Sequence, residues 1–495
     1  MKVLISSLKY LIRNFSVFAI ALVFIYSGID IFSSHRWTGK NAIIQSDVTG
    51  YYGYLPAVFI YKDISLKFRL LDENKHRVKI WSDPSPTGKR MIRYTIGQAV
   101  MLSPFFLMGH AAAHLLGYDP SGYTVPYKYF LALSSFIYLI LGLFALRKVL
   151  LRYFEEIPVG ITLILITLGT NLFTYYTQEP CMTHAYNFAL ISIFILYTDN
   201  WHKNPGWKNS VMIGIITGLI TLVRPFNILV VLVFILYGIT SFRGIIDKAR
   251  LFLQHSPKII TVISIVFLIW IPQFLYWKYT TGHYLYYAYG SAGGSFFFRH
   301  PHIIEGLFGY RKGVFLYNPV LVFAFLGLIW LKRYNSKFFY ASVIFLCVFI
   351  YILFSWWSWW YGGGFSIRTF ADIYGILAFP MTAFLTWLWY QKSGIVRIVL
   401  SLLVAGTLLQ GQFYNWQYAK TILHWSDMTK EAFWYMMWKK KVGPEYKELL
   451  CQMDSDLAKK GIYICCPRYG KYKDMPKEEK PCKEIQDISM HYITK

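Results

Sequence analysis

A single carboxylate stands between an apolar segment and a tyrosine-rich stretch. Asp47 follows the apolar residues 15–32 and precedes Tyr51 and Tyr52, and the residues after Pro56 as far as Asp63 predict a short amphipathic helix on the membrane surface. A carboxylate at a membrane surface can remove the proton from an acceptor hydroxyl as a general base. The alternative is that Asp47 caps the helix that follows it, a common role of aspartate. Asp47 is therefore a candidate catalytic base, and Tyr51 and Tyr52 are candidate substrate-binding residues.

A second carboxylate and a histidine lie in a short turn between two other apolar segments. The turn contains Glu179 and ends at His184. Placing either side chain at the edge of a membrane costs free energy, and polar residues found there commonly have a functional role. We interpret Glu179 as a second acidic catalytic position and His184 as a substrate-binding position, while a simple turn with polar ends is the alternative.

Four cations are placed where they could hold a phosphate. Arg311 and Lys312 directly precede an apolar segment, Arg224 lies between two short ones, and Arg368 follows Trp360 and three consecutive glycines. Glycines let backbone N–H groups approach an anion, and a guanidinium is a forked donor. The pattern predicts a donor-phosphate site formed by these cations. Trp360 could stack on a sugar, although an interfacial aromatic belt is the alternative.

One pair of residues has the chemistry of a metal site. His302 and Glu305 could share one face of a helix and bind a divalent metal ion. Two ligands are a weak basis for a site, so a divalent metal ion is the only cofactor that the sequence suggests.

The elements that position these residues are membrane helices. The chain has 495 residues, of which 56% are hydrophobic and 15% are charged. Segments of about twenty apolar residues recur, and each can cross a bilayer as a helix. The composition predicts an all-α polytopic membrane protein and excludes a soluble one. Eleven segments are apolar throughout: 15–32, 126–146, 157–177, 184–198, 210–223, 226–240, 259–277, 313–331, 338–357, 372–390 and 395–415. A twelfth, 94–116, contains small and polar residues and suits a surface helix as well as a span.

The charge distribution predicts how these segments are oriented. The net charge of +25 would suggest nucleic acid in a soluble chain, but no basic tract is long enough, so no nucleic-acid partner is expected. Lysines and arginines fill alternate short loops, and such loops remain in the cytoplasm. The fourteen residues of this basic set are Arg147, Lys148, Arg152, Lys203, Lys208, Arg243, Lys248, Arg250, Lys258, Lys332, Arg333, Lys337, Lys392 and Arg397.

An inside N-terminus then gives eleven spans and leaves 94–116 on the outer surface; twelve spans with an outside N-terminus are the alternative. We predict a multi-pass inner (plasma) membrane protein whose active site faces the periplasm or exterior. Residues 1–415 form the membrane domain, with a first outer loop at 33–125, and residues 416–495 form a small outer appendage.

Four of the six cysteines lie in this tail: Cys451, Cys465, Cys466 and Cys482. They predict one or two disulfides in the tail, and a zinc site is the weaker option.

These motifs, in this order, resemble the GT-C superfamily of membrane glycosyltransferases, which includes the protein mannosyltransferases and the lipid A aminoarabinose transferases. The resemblance covers about residues 10–390 and includes Ser46-Asp47-x-x-x-Tyr51-Tyr52, Arg224-Pro225-Phe226-Asn227 and Trp360-x-Gly362-Gly363-x-x-Ser366-x-Arg368. It implies outer juxtamembrane helices, with Asp47 as base and Glu179 as second acidic residue. Val48 follows Asp47, whereas the protein mannosyltransferases have an Asp-Glu pair.

The resemblance also implies a reaction. A hexosyl or pentosyl group would move, with inversion, from a polyprenyl-phosphate donor to a hydroxyl of a lipid, glycan or protein acceptor, among membrane lipids. Asp47 would take the proton, and Arg311, Lys312 and Arg368 would stabilise the phosphate that leaves. Two other classes are considered: an O-antigen-type polymerase or ligase acting on diphosphate-linked glycans, and a lipid-linked oligosaccharide flippase.

Overall fold

Apolar helices form most of the computed structural model, which describes residues 12–39, 43–68, 80–290, 294–467 and 482–484. The α-helices are α1 (Phe15–Ser34), α2 (Val48–Phe59), α3 (Gly97–Leu115), α4 (Val125–Leu150), α5 (Glu156–Leu168), α6 (Leu172–Thr177), α7 (Thr183–Lys203), α8 (Trp207–Val223), α9 (Val231–Leu236), α10 (Phe242–Gln254), α11 (Ser256–Thr281), α12 (Ile303–Phe308), α13 (Val314–Tyr317), α14 (Leu321–Tyr334), α15 (Ser336–Phe354), α16 (Tyr374–Trp389), α17 (Gly394–Ala419), α18 (Lys430–Met436) and α19 (Ser455–Ala458). Short 3-10 helices cover Arg36–Thr38, Pro225–Val230, Arg368–Ile373 and Pro444–Leu449.

Strands are few and lie outside the helical bundle. β1 (Asp83–Pro84) pairs antiparallel with β2 (Arg90–Met91) in the first long loop. In the tail, β3 (Gln452–Met453), β4 (Ile464–Cys466) and β5 (Lys483–Glu484) form an antiparallel sheet in that order. The all-α fold class is therefore confirmed for the part of the chain that carries the predicted spans.

Six helical segments are long and apolar enough to cross a membrane. They are Phe15–Thr38, Val125–Leu150, Ser256–Thr281, Ser336–Phe354, Arg368–Trp389 and Gly394–Ala419. Three shorter apolar helices are Glu156–Leu168, Trp207–Val223 and Pro225–Leu236. The structure is thus consistent with a helical membrane protein, but it does not confirm the expected count of about eleven spans.

The count differs partly because several predicted spans are interrupted. The segment 157–177 divides into α5 and α6 at Gly169, and the segment 313–331 divides at Asn318. At these breaks amide side chains replace helical hydrogen bonds: Asn318 Oδ1 accepts from the Asn171 backbone N–H at 2.6 Å. Such breaks are tolerated in a membrane protein where other protein groups satisfy the backbone.

Capping side chains mark the starts of two of the long helices. Asn335 accepts a hydrogen bond from the Phe338 N–H at the start of α15, and Ser393 accepts one from the Val396 N–H at the start of α17. Each cap satisfies one of the N–H groups that a helix leaves unpaired in its first turn. The basic residues Lys332, Arg333, Lys337, Lys392 and Arg397 flank these two starts.

Helix α3, which covers most of the ambiguous segment 94–116, packs along the first half of α4. Tyr138 Oη donates to the Met101 carbonyl at 3.1 Å. A Cβ on Gly97 would lie 2.2 Å from the Leu222 carbonyl carbon, so only glycine allows this close approach to α8. α3 is not among the six candidate spans.

The bundle has two chemically different ends. The end that carries Asp47, Glu179 and Arg368 is called the site end here. Helix α7 runs from His184 at this end to Lys203 at the other, a rise of about 28 Å at 1.5 Å per residue. At the opposite end, ion pairs hold the helices together: Arg147–Glu156 at 2.9 Å, Lys203–Asp199 at 2.9 Å, and Arg152–Asp199.

The tail is fixed by disulfides and docks on the site end. Cys451 pairs with Cys465, and Cys466 pairs with Cys482, which confirms the predicted disulfides. Tyr463 Oη donates to the Trp357 carbonyl at 3.1 Å. The tail is therefore packed against the tryptophan-rich loop of the membrane domain.

Candidate functional site

The side chain of Asp47 is used for an ion pair rather than for capping. Asp47 directly precedes α2, and its backbone carbonyl accepts from the N–H groups of Gly50 and Tyr51. Its carboxylate forms no capping hydrogen bond. Instead, Arg368 Nη1 donates to Asp47 Oδ2 at 2.7 Å. The two side chains are only 15% and 17% exposed, so the pair lies in a recess at the site end.

Helix α2 is buried in protein along most of its length, which fixes the position of Asp47. The residues from Val48 to Ala57 are buried, and only the end of the helix is exposed. Tyr54 Oη donates to the Tyr94 carbonyl at 2.6 Å, and Tyr52 Oη donates to the Gly122 carbonyl. Tyr52 therefore anchors the helix, away from the recess. The helix therefore begins earlier than predicted, at Val48, ends at Phe59, and is buried in protein instead of lying on the membrane surface.

Tyr51 and Tyr94 form the wall beside Asp47. Their rings are 4.4 Å apart between centroids, and the Tyr94 hydroxyl is hydrogen-bonded to the Asp47 carboxylate. Tyr51 therefore lies where the sequence placed it, next to the candidate base. Tyr94 was not identified as a site residue from the sequence.

The glycine-rich loop positions Arg368. Gly364 has a φ of +134°, and a Cβ there would lie 2.9 Å from Tyr175 Oη. The Gly364 N–H donates to the Trp425 carbonyl at 3.0 Å, and the Phe365 N–H donates to Tyr175 Oη at 2.9 Å. These two N–H groups thus hold the loop within the fold instead of facing an anion. The loop also carries the Arg368 guanidinium as an anion-binding group, and its Nε is buried and has no hydrogen-bond partner within the described residues.

The electrostatic surroundings keep Asp47 ionised. Burial by itself raises the pKa of the carboxyl group, but Arg368, the Tyr94 hydroxyl and Arg224 outweigh it and lower the pKa below its usual range. A carboxylate in this state carries its charge at neutral pH and is a weak base while Arg368 is bound to it.

A second buried carboxylate, Asp372, lies beside this pair. His184 Nδ1 is 2.7 Å from Asp372 Oδ1, and a carboxylate only accepts, so Nδ1 carries the proton. Asn227 Nδ2 donates to Oδ2 at 2.8 Å, and Arg224 Nη1 donates to the same oxygen at 3.3 Å. His184 Nε2 is buried and has no hydrogen-bond partner in the part of the chain that the structure describes. Asp372 thus connects three separate helical segments.

Sequence reasoning missed Asp372 and Asn227 as site residues. The signal was present, because Asp372 is a lone carboxylate at the start of the apolar segment 372–390, where an unpaired charge would be unfavourable. Asn227 stood in the Arg-Pro motif but was given no role.

Glu179 lies in the turn between α6 and α7 and accepts a hydrogen bond from Tyr418 Oη at 2.5 Å. Burial raises the pKa of its carboxyl group, and the hydrogen bond from Tyr418 and the nearby charges of Arg368 and Lys312 only partly offset that rise. Glu179 is therefore easier to protonate than Asp47, which makes the two acids chemically unequal.

Lys312 links the glycine-rich loop to the tail. Its Nζ donates to the Trp425 carbonyl at 2.6 Å and to the Gly364 carbonyl. Burial lowers the pKa of this amine to about 7. Lys312 is thus close enough to interact with Arg368 and Glu179, but its donors are directed at backbone carbonyls.

The remaining predicted residues make their contacts elsewhere. Arg311 donates to the carbonyls of Ser426 at 2.9 Å and Cys451 at 2.8 Å, so it holds the tail against the membrane domain by hydrogen bonds. Trp360 is buried between Trp359 and Tyr463, at 5.8 and 6.5 Å between ring centroids. Neither is in contact with the Asp47–Arg368 pair, and neither enters the mechanism proposed below.

His302 and Glu305 do not form a divalent metal site by themselves. His302 Nδ1 and Glu305 Oε2 are 4.0 Å apart, and the His302 ring packs on Trp359 and Tyr463. Across residues 12–39, 43–68, 80–290, 294–467 and 482–484, no three His, Cys, Asp or Glu side chains come together. Asp47 is bound to an arginine instead, so no step below is routed through a metal.

Comparison with known proteins gives structural matches only. No family model and no curated protein matches the chain. The solved structures that it resembles include oligosaccharyltransferases of Archaeoglobus fulgidus. The apo form is 13% identical over 86% of this chain, with a TM-score of 0.46.

Two further matches are oligosaccharyltransferase structures from the same archaeon. A complex with an inhibitory peptide and a dolichol-phosphate is 13% identical over 86% of this chain, with a TM-score of 0.43. A complex with zinc and sulfate is 14% identical over 84% of this chain, with a TM-score of 0.43. The chain spans 57%, 57% and 54% of the length of these three proteins. TM-scores below 0.5 do not transfer an activity, so the function proposed next depends on the contacts of the site.

Proposed function

We propose that this protein is a membrane glycosyltransferase that moves a sugar from a polyprenyl-phosphate donor to an acceptor hydroxyl, with inversion. The observation that carries the proposal is the ion pair between Asp47 and Arg368 in a recess at one end of the helices. It joins, in one contact, a carboxylate able to act as base and a guanidinium able to bind a phosphate.

In the proposed reaction, the acceptor oxygen attacks the anomeric carbon as Asp47 takes its proton. The new bond from carbon to the acceptor oxygen forms while the bond from carbon to the phosphate oxygen breaks. The electron pair of that bond leaves with the phosphate, and Arg368 and Arg224 stabilise the charge. A phosphate can leave as an anion, so no general acid is needed.

Donor binding would also activate the base. Arg368 holds the pKa of Asp47 low in the free protein. When the donor phosphate takes hydrogen bonds from Arg368, the carboxylate loses part of this stabilisation and its pKa rises toward that of a better base. The same guanidinium would thus couple donor binding to the proton transfer.

The neighbouring residues would orient the reactants. Asp372 holds the Arg224 guanidinium, and it fixes His184 with the proton on Nδ1. His184 Nε2 then has only a lone pair to offer, so it could accept a hydrogen bond from a sugar hydroxyl. Glu179, the second acidic position, would shape the recess through its contact with Tyr418.

The cellular setting follows from the helices and the charge pattern. We propose an inner-membrane protein with the site end in the periplasm or at the exterior, because the predicted cytoplasmic residues Arg147, Arg152, Lys203 and Lys337 lie at the opposite end. The acceptor is a lipid, a glycan or a protein.

Product analysis tests the proposal against its two alternatives. The purified protein is incubated with a polyprenyl-phosphate sugar labelled in the lipid, and the released lipid is identified by mass spectrometry. A glycosyltransferase of this type releases the monophosphate, and Asp47→Asn stops the release. Release of a diphosphate from a diphosphate-linked donor would favour the O-antigen-type polymerase or ligase. Transport without any released lipid would favour the flippase.

A further inference from the structure

A basic cavity lies at the opposite end of the helices from Asp47. Its volume is about 210 Å³, it is partly open to the surroundings, and it is lined by the last turn of α7, the turn after α9, helix α10 and the start of α15. The side chains that matter here are His202, Lys203, Lys248 and Lys337. No residue of the site end takes part, so this cavity is separate from the proposed active site.

The positive charge of the cavity is not balanced by carboxylates. Asp199 is the nearest acid, and it is already engaged by Arg152, Lys203 and the hydroxyl of Tyr237. Within the described residues, neither Lys248 nor Lys337 forms an ion pair. Lys248 Nζ donates to the Tyr237 carbonyl at 2.5 Å, and burial lowers the pKa of its amine to about 8. A bound anion would offset this cost of burying the Lys248 charge.

His202 provides an unused polar atom in the same place. Its Nδ1 bonds the Thr198 carbonyl at 2.9 Å and therefore carries a proton. Its Nε2 is buried and has no hydrogen-bond partner among the residues that the structure describes. A buried polar atom without a partner is unfavourable, and Nε2 of the neutral ring has a lone pair that could accept a hydrogen bond from a head-group hydroxyl.

Helix α10 indicates where the anion comes from. The helix has no buried residues, and its apolar side chains are exposed, with Phe242 at 82% and Leu253 at 73%. Ile245 and Ile246 extend the same exposed surface. A helix with an apolar face and basic residues is typical of the membrane interface, where lipid head groups lie. Lys248 of this helix lines the cavity, so a head group could reach it from the membrane.

We propose that this cavity binds the phosphate group of an anionic membrane lipid, with Lys248 and Lys337 as its main cationic contacts and His202 Nε2 as an acceptor for a hydroxyl of the head group. Basic pockets between helices on the cytoplasmic side are suited to lipid phosphates. The site would fix α10 against α7 and α15 from the side opposite the active site.

Protection of Lys248 from an amine-reactive reagent tests the site in the intact protein. The full chain is placed in phosphatidylcholine nanodiscs, with or without phosphatidylglycerol, and modification of each lysine is followed by mass spectrometry. We expect phosphatidylglycerol to slow the modification of Lys248 by about tenfold. Lys332, an exposed lysine at the same end that does not line the cavity, reports any general effect of the charged surface and should change much less.

Two further arms decide between the outcomes. Lys337→Gln should remove most of the protection of Lys248, whereas Lys332→Gln should leave it intact. Inorganic phosphate at millimolar concentration is added in place of the lipid. If inorganic phosphate protected Lys248 as well as the lipid does, the proposed lipid ligand would be wrong and the cavity would be a site for free phosphate. Equal rates for Lys248 in both nanodiscs, or equal slowing of Lys248 and Lys332, would overturn the site itself.

Discussion

The contact between Asp47 and Arg368 decides the behaviour of the proposed base. An aspartate paired with an arginine has its pKa lowered by one or more units, and the direction here is downward despite burial. A base works only when deprotonated, so the rate should fall on the acid side as the pH drops through this pKa. The low pKa therefore places the acid limb of the wild-type pH profile below the range expected for a free aspartate.

Arg368→Ala should move that acid limb. Loss of the guanidinium removes the main charge that stabilises the Asp47 carboxylate, so the pKa rises and the acid limb of kcat/KM shifts to higher pH by about one unit. The rate should also fall by about 10²-fold, because a phosphate contact is lost. Both are measured from the pH dependence of kcat/KM for the labelled donor.

Arg311→Ala is the matched control, because it removes the same charge from a residue that contacts tail carbonyls. The acid limb of kcat/KM for Arg311→Ala should lie at the same pH as that of the wild type, even if the variant is less stable. An unshifted limb in Arg368→Ala would show that Asp47 is not the group that titrates.

The two acids of the site should respond differently to neutralisation. Asp47→Asn removes a general base and should lower kcat by about 10³-fold. Glu179→Gln keeps the hydrogen bond from Tyr418, and burial already favours the neutral form of Glu179, so its loss should be only about fivefold. Parallel kcat measurements on the two variants check this order. A larger loss in Glu179→Gln would transfer the role of base to Glu179.

At the scale of elements, Asp372 acts as a clamp between α7, the 3-10 helix Pro225–Val230 and its own segment. Asp372→Asn would leave the Arg224 guanidinium without its charged partner, and breaking a buried pair in this way costs about 3 kcal/mol of stability. It should also raise KM for the donor, because Arg224 loses its orientation. Thermal unfolding in detergent and donor KM are the two measurements.

Asp199→Asn is the control at the other end of α7. Asp199 is equally buried and pairs with Arg152 and Lys203, so the variant should lose comparable stability. Its donor KM should remain unchanged, since no residue of the site contacts Asp199. If the donor KM of Asp372→Asn were also unchanged, Asp372 would stabilise the fold without orienting Arg224 for the donor.

The elements also show what the sequence could and could not predict. Apolar segments and glycine-rich loops are local patterns, and they predicted the helices, the loop that carries Arg368 and the position of Asp47 ahead of α2. The pairing of Asp47 with Arg368 joins residues far apart in the chain, and no local pattern specifies it. Arg311 and Lys312 were adjacent in the sequence, yet their donors are taken by tail carbonyls, which depends on how the tail docks.

At the scale of the whole molecule, charge is divided between two ends with different chemistry. The site end places Arg224, Arg368 and Lys312 around carboxylates and carbonyls, where a donor phosphate could compete for them. The opposite end carries ion pairs and the basic cavity beside Lys337. Part of the net charge of +25 would then determine orientation and part would bind phosphate groups.

Side-specific labelling tests the orientation that this division implies. Lys420 is exposed at the site end, and Lys332 is exposed at the other. In a Cys347→Ser background, Lys420→Cys should react with a membrane-impermeant maleimide on intact cells, whereas Lys332→Cys should react only after permeabilisation. Cys181 is buried and the four tail cysteines are in disulfides, so the introduced thiol gives the signal. The reverse pattern would put Asp47 in the cytoplasm, where the outward-facing reaction proposed here could not occur.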